Sequence, residues 1–266
     1  METKMSADTS YVTSDVSHGI AVVSLRRPEK RNALNLAMWR KLAETFEQLD
    51  ARSDVRAVIL HGAGGHFCAG ADISEFDEVR ADEHSAKEYD RITEKATLAI
   101  SQWRGPTIAA ISGYAIGGGC GVALACDFRV ADETARIGIT AARLGIVYSL
   151  LDTRLLYRQV GLAGAKRVLF AAEHLSAEEA FRVGLVDFPL AKDALAAATQ
   201  FAGKLVANAP LTVAGSKQML NTIAEGTSDA RREELEQLVA GAYQSQDYRE
   251  GRAAFAQKRR PGFRGV

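Results

Sequence analysis

The stretch from Pro106 to Asp127 constrains the fold most, because no charged residue lies between its two ends. Its apolar run Thr107–Ile111 predicts a buried strand. Three consecutive glycines, Gly117–Gly119, then lead into a helix of small residues predicted over Cys120–Ala125. A chain that passes from a strand through glycines into a helix leaves unpaired backbone N–H groups at the positive end of the helix dipole. Because glycine has no Cβ atom, a ligand can approach closely, so the stretch predicts a site for an anion or an oxyanion.

Other interpretations of this stretch are a membrane span, a core helix and a nucleotide-binding loop. The twenty uncharged residues 107–126 have the length of a transmembrane helix, but five glycines, Ser112 and Tyr114 make them a poor one. A tightly packed core helix fits the same sequence, and the stretch alone does not distinguish it from a binding turn. The glycine spacings of dinucleotide-binding and P-loop motifs are absent from the sequence.

The charge balance and the cysteine and histidine content narrow the function classes. The 266 residues carry 33 basic and 33 acidic side chains, and this net charge of zero argues against a nucleic-acid-binding protein that relies on overall basic charge. The polar start METKMSADTS lacks the apolar segment of a secretory leader. Three cysteines without a C-x-x-C pair indicate reduced thiols and a cytoplasmic location. The scattered histidines predict no metal site, and we expect no nucleic-acid or membrane partner.

Hydrophobic periodicity predicts an α/β protein of strand–turn–helix units followed by a helical end. We expect a disordered tail at 1–10, a core at 11–193 and a helical region at 194–266. The mixed-charge run Asp77–Asp90 predicts a mobile surface segment before a helix at Ile92–Trp103. Strands are predicted at Tyr11–Val16, Ile20–Leu25, Val55–Leu60, Thr107–Ile111, Phe128–Ala131 and Arg136–Ile139. The other helices are predicted at Leu36–Ala51, Leu150–Val160, Ala163–Ala172, Ser176–Val183, Ala194–Asn208, Leu211–Glu225, Ala230–Ser245 and Tyr248–Lys258.

A second glycine-rich turn, from His61 to Ile73, follows the strand predicted at Val55–Leu60. It is therefore a second candidate for exposed backbone N–H donors. Asp72 is placed to cap the segment that follows it. His61 and His66 are candidate acid–base groups, although histidines in loops are more often merely solvated.

Seven sequence pieces, in this order and at these spacings, resemble the crotonase (enoyl-CoA hydratase/isomerase) superfamily. No single piece is decisive, but together they extend over nearly the whole chain, from Gly19 to Phe263. The pieces are RPEKRNALN at 27–35, HFCAGADI at 66–73, GYAIGGGC at 113–120, ALACDFRVAD at 123–132, A-x-x-G at 135–138, LSAEEAFRVGLVD at 175–187 and EGRAAFAQKR at 250–259.

The resemblance implies a crotonase-like spiral of ββα units with a C-terminal helical trimerisation region. It implies an acyl-CoA thioester ligand, coenzyme A as part of the substrate, no permanently bound cofactor, and a homotrimer or dimer of trimers. By position, the backbone N–H groups of Ala71 and Gly118 would hold the thioester oxygen as it becomes an enolate. Fixed amide dipoles stabilise that developing charge without having to reorganise.

The resemblance also implies a set of substrate-contacting residues. Phe255 and Lys258 match an aromatic residue and a lysine that reach the CoA of a neighbouring subunit. The basic tail KRRPGFR would suit a nucleotide phosphate, although a solvated cationic end is an equal alternative. The remaining positions are Arg31 and Ala33 on the CoA side, Ala69, whose carbonyl would lie near the adenine, and Ala71, Asp72, Ile73, Gly118, Thr140 and Ala141.

The sequence departs from the hydratase pattern at both catalytic acids. That pattern has one glutamate directly after GGGC and a second about twenty residues later, whereas this chain has Gly121 and Ala141. Neither side chain transfers a proton, so hydration by the two-glutamate route is doubtful. The sequence leaves three possibilities: an acyl-CoA lyase or isomerase with relocated acid–base groups, a malonyl-type acyl-CoA decarboxylase, and a non-catalytic acyl-CoA-binding protein.

Tyr148 is the best single candidate for a proton donor. It ends the loop G-I-V-Y, which resembles the G-V-P-Y loop of a decarboxylase in the superfamily, although that enzyme has a histidine where this chain has Ala71. Asp152 would share a helical face with Tyr148 if the helix began there. A tyrosine packed against the core, with its hydroxyl bonded to the backbone, is the alternative. The next candidates are His66, Asp72 and Asp152.

Overall fold

The computed structural model describes residues 11–266, so the tail predicted at 1–10 lies outside the described residues. The strands are β1 (Val12–Ser17), β2 (Ile20–Leu25), β3 (Ala57–Gly62), β4 (Thr107–Ile111), β5 (Tyr114–Ile116), β6 (Phe128–Ala131), β7 (Arg136–Gly138) and β8 (Leu175–Ser176). The helices are α1 (Leu36–Asp50), α2 (Phe76–Val79), α3 (Glu83–Ser101), α4 (Gly118–Ala125), α5 (Leu150–Ala171), α6 (Ala177–Arg182), α7 (Ala194–Val206), α8 (Pro210–Ala224), α9 (Arg232–Gln244) and α10 (Gln246–Ala256).

The strands form two sheets. The five-stranded sheet has the order β1-β2-β3-β4-β6, and only its β1–β2 hairpin is antiparallel. The smaller sheet has the order β5-β7-β8. β4 and β5 are separated by only Ser112 and Gly113, so the central stretch leaves one sheet and enters the other just before it forms α4. The prediction of strand–turn–helix units is confirmed.

The two faces of the large sheet pack against different helices. In β3, Val58 and Leu60 join the larger core cluster, which includes residues of α1, α3 and α4. Ile59, which points to the opposite face, packs with Ala198 and Ala202 of α7. Parallel strands covered on both faces are apolar along their whole length, which explains why β3 and β4 appear in the sequence as uninterrupted apolar runs.

Three predictions of secondary structure were wrong. The helix predicted at Ile92–Trp103 begins earlier, because the largely exposed run Asp77–Asp90 already contains most of α2 and the first two turns of α3. Asp82 caps α3 through a capping box with Ser85, so local hydrogen bonds stabilise a charged helix end that has little apolar pattern. The central helix begins at Gly118 and not at Cys120, because Gly117 adopts the cap conformation at φ 53° that favours glycine. The short strands β5 and β8 were not predicted.

The C-terminal helices differ in how they are buried. α7 packs on the large sheet, whereas α8, α9 and α10 each contribute only one or two buried residues. A groove of about 560 Å³ lies between these last helices and is lined by apolar side chains that include Met219, Leu238 and Phe255. The division of the chain near residue 194 and the role of this region in trimerisation stay predictions.

Candidate active site

Two glycine-rich turns meet at one point of the fold. Cys68 lies in the glycine-rich turn from His61 to Ile73 and pairs with Ala115 of β5 as an isolated parallel bridge. In this bridge the Cys68 N–H donates to the Tyr114 carbonyl at 2.7 Å, and the Ile116 N–H donates to the Cys68 carbonyl at 3.0 Å. The pairing brings the turn at Ala71 against the start of α4, where a Cβ atom added to Gly118 would lie only 3.5 Å from the Ala71 nitrogen.

The backbone N–H groups of Ala71 and Gly118 have no acceptor in the described part of the chain. The Leu34 N–H donates to the Gly70 carbonyl at 2.7 Å and the Asp72 N–H to the Leu34 carbonyl at 2.9 Å, so the Ala71 N–H faces away from this pairing. Gly118 is the first residue of α4, whose N-cap provides no side-chain acceptor. Within residues 11–266, neither the Ala71 N–H nor the Gly118 N–H donates a hydrogen bond. Unpaired donors beside a helix N-terminus favour a negatively charged oxygen.

Glycine is required where the two turns touch. A Cβ atom on Gly119 would lie 2.2 Å from the Cys68 carbonyl oxygen, which is closer than two non-bonded atoms can approach. Gly70 has φ +110° and would place a Cβ atom 2.8 Å from the Ile116 carbonyl oxygen. A side chain at either position would therefore push the two turns apart.

A cavity of about 240 Å³ opens in front of Ala71 and Gly118. Most of its wall is apolar and includes Trp39, and polar side chains of α3 and α5 also line it. An apolar cavity with a few convergent polar groups is typical of a small-molecule site. The residues that line it are Trp39, Ala69, Gly70, Ala71, Ile73, Phe76, Arg80, Tyr89, Asp90, Thr93, Glu94, Thr97, Ile116, Gly117, Gly118, Thr140, Ala141, Leu144, Ile146, Val147, Tyr148, Ser149 and Asp152.

The hydroxyl group of Tyr148 contacts the glycine-rich turn at Gly117. This hydroxyl donates a hydrogen bond to the Gly117 carbonyl at 2.7 Å, which also accepts the Gly121 N–H at 3.0 Å. Burial raises the pKa of Tyr148 well above its usual value, and the charge of Asp152 raises it further. The phenol therefore stays protonated, and its proton is directed at the backbone. This is the arrangement that the alternative interpretation of Tyr148 described.

Asp152 lies in the first turn of α5, beside Tyr148 and opposite Gly121. The helix begins at Leu150 with Ser149 as its N-cap, and the Ser149 hydroxyl contacts the Asp152 carboxylate at 2.7 Å. Burial raises the pKa of Asp152 above its usual value, and the Ser149 hydrogen bond opposes this shift. The carboxylate is thus a titratable group with an elevated proton affinity on the wall of the cavity.

Asp72 lies behind the site and has a different role. Arg27 Nη1 donates to its Oδ2 at 2.6 Å, and the Ser74 N–H donates to its Oδ1 at 3.1 Å. Burial raises the pKa of Asp72, but the hydrogen bonds from Ser74 and Arg27 outweigh burial and bring it to about 2. The predicted capping role is confirmed. The sequence patterns did not indicate Arg27, which also donates to the Ala33 carbonyl at 3.2 Å.

Arg31 and His66 lie together outside the cavity wall. The Arg31 guanidinium lies 5.1 Å from the centre of the Tyr114 ring, and His66 stacks on the same ring at 5.0 Å. The Arg31 carbonyl accepts the Ala69 N–H at 3.0 Å, which links this group to the turn before Ala71. Burial lowers the pKa of His66, and the charge of Arg31 lowers it further.

The other candidates are dispersed over the molecule. His61 contacts the Ser24 hydroxyl at 2.8 Å and does not line the cavity. Phe255, 88% exposed, lies on α10 and lines the groove of the C-terminal helices. Lys258 follows α10 and is exposed. Neither of these two residues reaches the cavity in front of Gly118 within the same chain.

The described residues offer little support for thiol catalysis, metal binding or membrane insertion. Burial raises the pKa of Cys68, Cys120 and Cys126 to about 12, so none is a ready nucleophile. Among residues 11–266, no three His, Cys, Asp or Glu side chains are grouped as a metal site requires. In the same part of the chain, no helix is both long enough and apolar enough to span a bilayer.

Comparison with known proteins identifies the family. The family model described as enoyl-CoA hydratase/isomerase matches residues 15–266. Short-chain-enoyl-CoA hydratase of Clostridium acetobutylicum is 35% identical over 243 residues, which cover 91% of this chain and 92% of that protein. 2,3-Dehydroadipyl-CoA hydratase of Escherichia coli is 33% identical over 247 residues, 92% of this chain and 95% of that protein. The crystal structure of an enoyl-CoA hydratase/isomerase family protein from Hyphomonas neptunium superposes with a TM-score of 0.91 at 37% identity, covering 95% of this chain and 97% of that one.

These matches and the geometry agree on the class of protein. The chain is an α/β protein with the crotonase fold, as the sequence motifs predicted. It belongs to the enoyl-CoA hydratase/isomerase family.

Proposed function

We propose that the protein processes an acyl-CoA thioester through an enolate whose oxygen is held by the backbone N–H groups of Ala71 and Gly118. The observation that carries this proposal is the convergence of these two unpaired donors on the wall of one cavity. Preorganised donors stabilise charge that develops in the transition state, and the loss of one such donor typically costs about 10²–10³ in rate. The family membership supports the acyl-CoA thioester as the substrate class.

The CoA moiety would bind on the side of Arg31 and Ala33, in contact with the turn at Ala69. Asp72 and Arg27 brace this side from within, because their 2.6 Å ion pair ties the turn to the loop before α1. No permanent cofactor is required. Thr140, Ala141 and Ile73 line the cavity, where they would contact the acyl group.

Phe255 and Lys258 would act on the CoA of a neighbouring copy, in a homotrimer or a dimer of trimers. The exposure of Phe255 and its distance from the cavity support a role across subunits. Light scattering at micromolar concentration tests this: a trimer or hexamer is expected, and a monomer contradicts it. The free, buried cysteines support a cytoplasmic location.

The reaction would belong to the lyase or isomerase chemistry of the family, without the two-glutamate route of hydration. Gly121 and Ala141 offer no proton-transferring side chain at the two expected positions. General acid–base groups typically contribute about 10²–10⁴ each, so we expect hydration of crotonyl-CoA to be slow or absent. A malonyl-type decarboxylase receives less support, because the Tyr148 proton is directed at the Gly117 carbonyl. A non-catalytic binder receives less support because a titratable carboxylate lies on the cavity wall.

The experiment that tests the proposed function is incubation of the protein with a panel of acyl-CoA thioesters, followed by mass spectrometry and chromatography. Gain of water, loss of CO₂ and isomerisation have distinct signatures. Conversion of at least one thioester without loss of CO₂ supports the proposal. Binding without any conversion across the panel would favour the non-catalytic alternative, and no binding of CoA thioesters at millimolar concentration would refute the proposal altogether.

A further inference from the structure

We propose that Asp152 is the acid–base group that moves the proton at Cα of the acyl chain, replacing from α5 the carboxylate that α4 lacks at Gly121. This assignment rests on the proposed function, because an α-proton is acidic enough only when the thioester oxygen is stabilised as an enolate. The substrate class that follows is an acyl-CoA whose conversion needs one movable α-proton, such as a 3-enoyl-CoA thioester.

The position of the Asp152 carboxylate is the first reason. A Cβ atom added to Gly121 would lie 3.3 Å from Asp152 Oδ1 and 3.7 Å from its Cγ. The carboxylate therefore fills the space that a side chain at position 121 would enter. α4 and α5 pack against each other, so a group on α5 can serve the same point of the cavity as a group on α4. The absence of a side chain at Gly121 is what makes room for Asp152.

The hydrogen bonds of the carboxylate are the second reason. The Ser149 hydroxyl accepts the Asp152 N–H at 3.0 Å, so its proton is free to be donated to Asp152 Oδ2 at 2.7 Å. Within the described part of the chain, Asp152 Oδ1 accepts no hydrogen bond. One oxygen thus fixes the orientation of the group, while the other is free to take a proton. A base held by one partner and open on its other side meets the geometric condition for general base catalysis.

The charges around the cavity are the third reason. Asp90 and Glu94 of α3 line the same cavity, and both negative charges act on Asp152. Two neighbours of Asp152 remain uncharged, namely Cys120 of α4 and Tyr148 of the loop before α5, because burial raises the pKa of each side chain. Among the described residues that line the cavity, Arg80 is the only basic one, and its Nη2 is paired with Asp90 Oδ1 at 2.6 Å. Within residues 11–266, Asp152 therefore has no cationic partner that would hold it permanently ionised, which suits a group that gains and loses a proton.

The proposed step is balanced without a further reactant. The Asp152 carboxylate takes the proton from Cα, and the C–H electron pair becomes the bond between Cα and the thioester carbon. The carbonyl electrons move onto the thioester oxygen, between the N–H groups of Ala71 and Gly118. Collapse of this dienolate in a 3-enoyl thioester then returns the proton from Asp152 to Cγ, which yields the 2-enoyl isomer. One carboxylate suffices for this sequence, whereas hydration also requires a group that activates water.

The test is exchange of the α-protons of butyryl-CoA in deuterium oxide, read by mass spectrometry. Asp152→Asn keeps the shape of the side chain and removes the base, and we expect the exchange rate to fall by about 10²–10⁴ while butyryl-CoA binding stays within threefold. The matched control is Asp15→Asn, at an exposed position of β1, which should exchange like the wild type.

If Asp152→Asn exchanges within threefold of the wild type, the assignment is overturned and the enolate proposal stands. If the wild type binds butyryl-CoA but does not exchange its protons, the enolate proposal fails and the assignment fails with it.

A carboxylate swap separates the chemistry of Asp152 from its structural role. Asp152→Ala should lose exchange, and adding Gly121→Glu to that variant returns a carboxylate to the same space from α4. We expect the double variant to exchange at least tenfold faster than Asp152→Ala alone. Exchange no faster than in Asp152→Ala, with butyryl-CoA still bound, would overturn the assignment.

Discussion

Gly118→Ala should inactivate the protein almost without destabilising it. Gly118 is the first residue of α4, and its φ does not lie in the left-handed region that favours glycine. The added methyl group would lie 3.5 Å from the Ala71 nitrogen and 3.1 Å from Cζ2 of Trp39. An oxyanion that accepts the Ala71 N–H must lie about 2.7–3.1 Å from that nitrogen. The methyl group and the thioester oxygen therefore compete for the same space.

The magnitude follows from the loss of that interaction. Removing one oxyanion-hole donor typically costs about 10²–10³ in rate, or about 2.7–4 kcal/mol of transition-state stabilisation. Displacing the oxygen from both donors should cost at least that much. The effect on folding should be small, because alanine is favoured over glycine in a helix by up to about 1 kcal/mol. The tight contact with Trp39 opposes this gain.

The assay compares α-proton exchange of butyryl-CoA and thermal unfolding in Gly118→Ala and in Gly203→Ala. Gly203 lies within α7 and has open space where its Cβ would be, so it controls for the helix-propensity effect. We expect at least a hundredfold slower exchange in Gly118→Ala only, and similar midpoints of unfolding in both variants. Exchange in Gly118→Ala within threefold of the control would refute the placement of the oxyanion at Ala71 and Gly118.

Three further predictions concern Tyr148, Asp72 and Lys258. Tyr148→Phe removes the hydrogen bond to Gly117 and should lower the free energy of unfolding by about 0.5–1.5 kcal/mol in chemical denaturation; unchanged stability would contradict the role we give that bond. The folded-state pKa of Asp72 is lowered to about 2, so its charge stabilises the fold above the ordinary aspartate pKa of about 4. The free energy of unfolding should therefore fall by about 2 kcal/mol as the pH falls through 2. Asp72→Asn should make the acid-side slope in urea titrations shallower by this amount, and a slope unchanged from the wild type would count against it. Lys258→Ala should weaken CoA binding in calorimetry, more at low salt than at high salt; a salt-independent effect would argue against a phosphate contact.

The large sheet and both glycine-rich turns could be predicted from local sequence. β2, β4 and β6 have the predicted bounds. β4 is buried at every position and β6 at three of four, whereas β2 is fully buried only at alternate positions. The donors at Gly118 follow from a strand–glycine–helix pattern that is visible within one stretch. The capping box of Ser176 and Glu179 at the start of α6 is equally local.

The sequence placed Asp152 only among the later acid–base candidates, behind Tyr148, because its position beside Gly121 depends on packing between distant segments. The contact between Asp152 and the space at Gly121 joins residues that lie about thirty positions apart, and no periodic pattern links them. The ion pair of Arg27 and Asp72 spans an even longer separation. Tyr148 shows the same limit, since only the structure shows that its hydroxyl contacts the Gly117 carbonyl. The trimer and the CoA contacts of Phe255 and Lys258 involve other chains and stay predictions.

The most direct test of the central proposal is the carbon-13 NMR spectrum of butyryl-CoA labelled at its thioester carbonyl and bound to the protein. Hydrogen bonds from Ala71 and Gly118 should polarise this carbonyl and move its resonance downfield from that of the free thioester, and the shift should be lost in Gly118→Ala. A bound thioester whose carbonyl resonance equals that of the free ligand would contradict an oxyanion hole at this site.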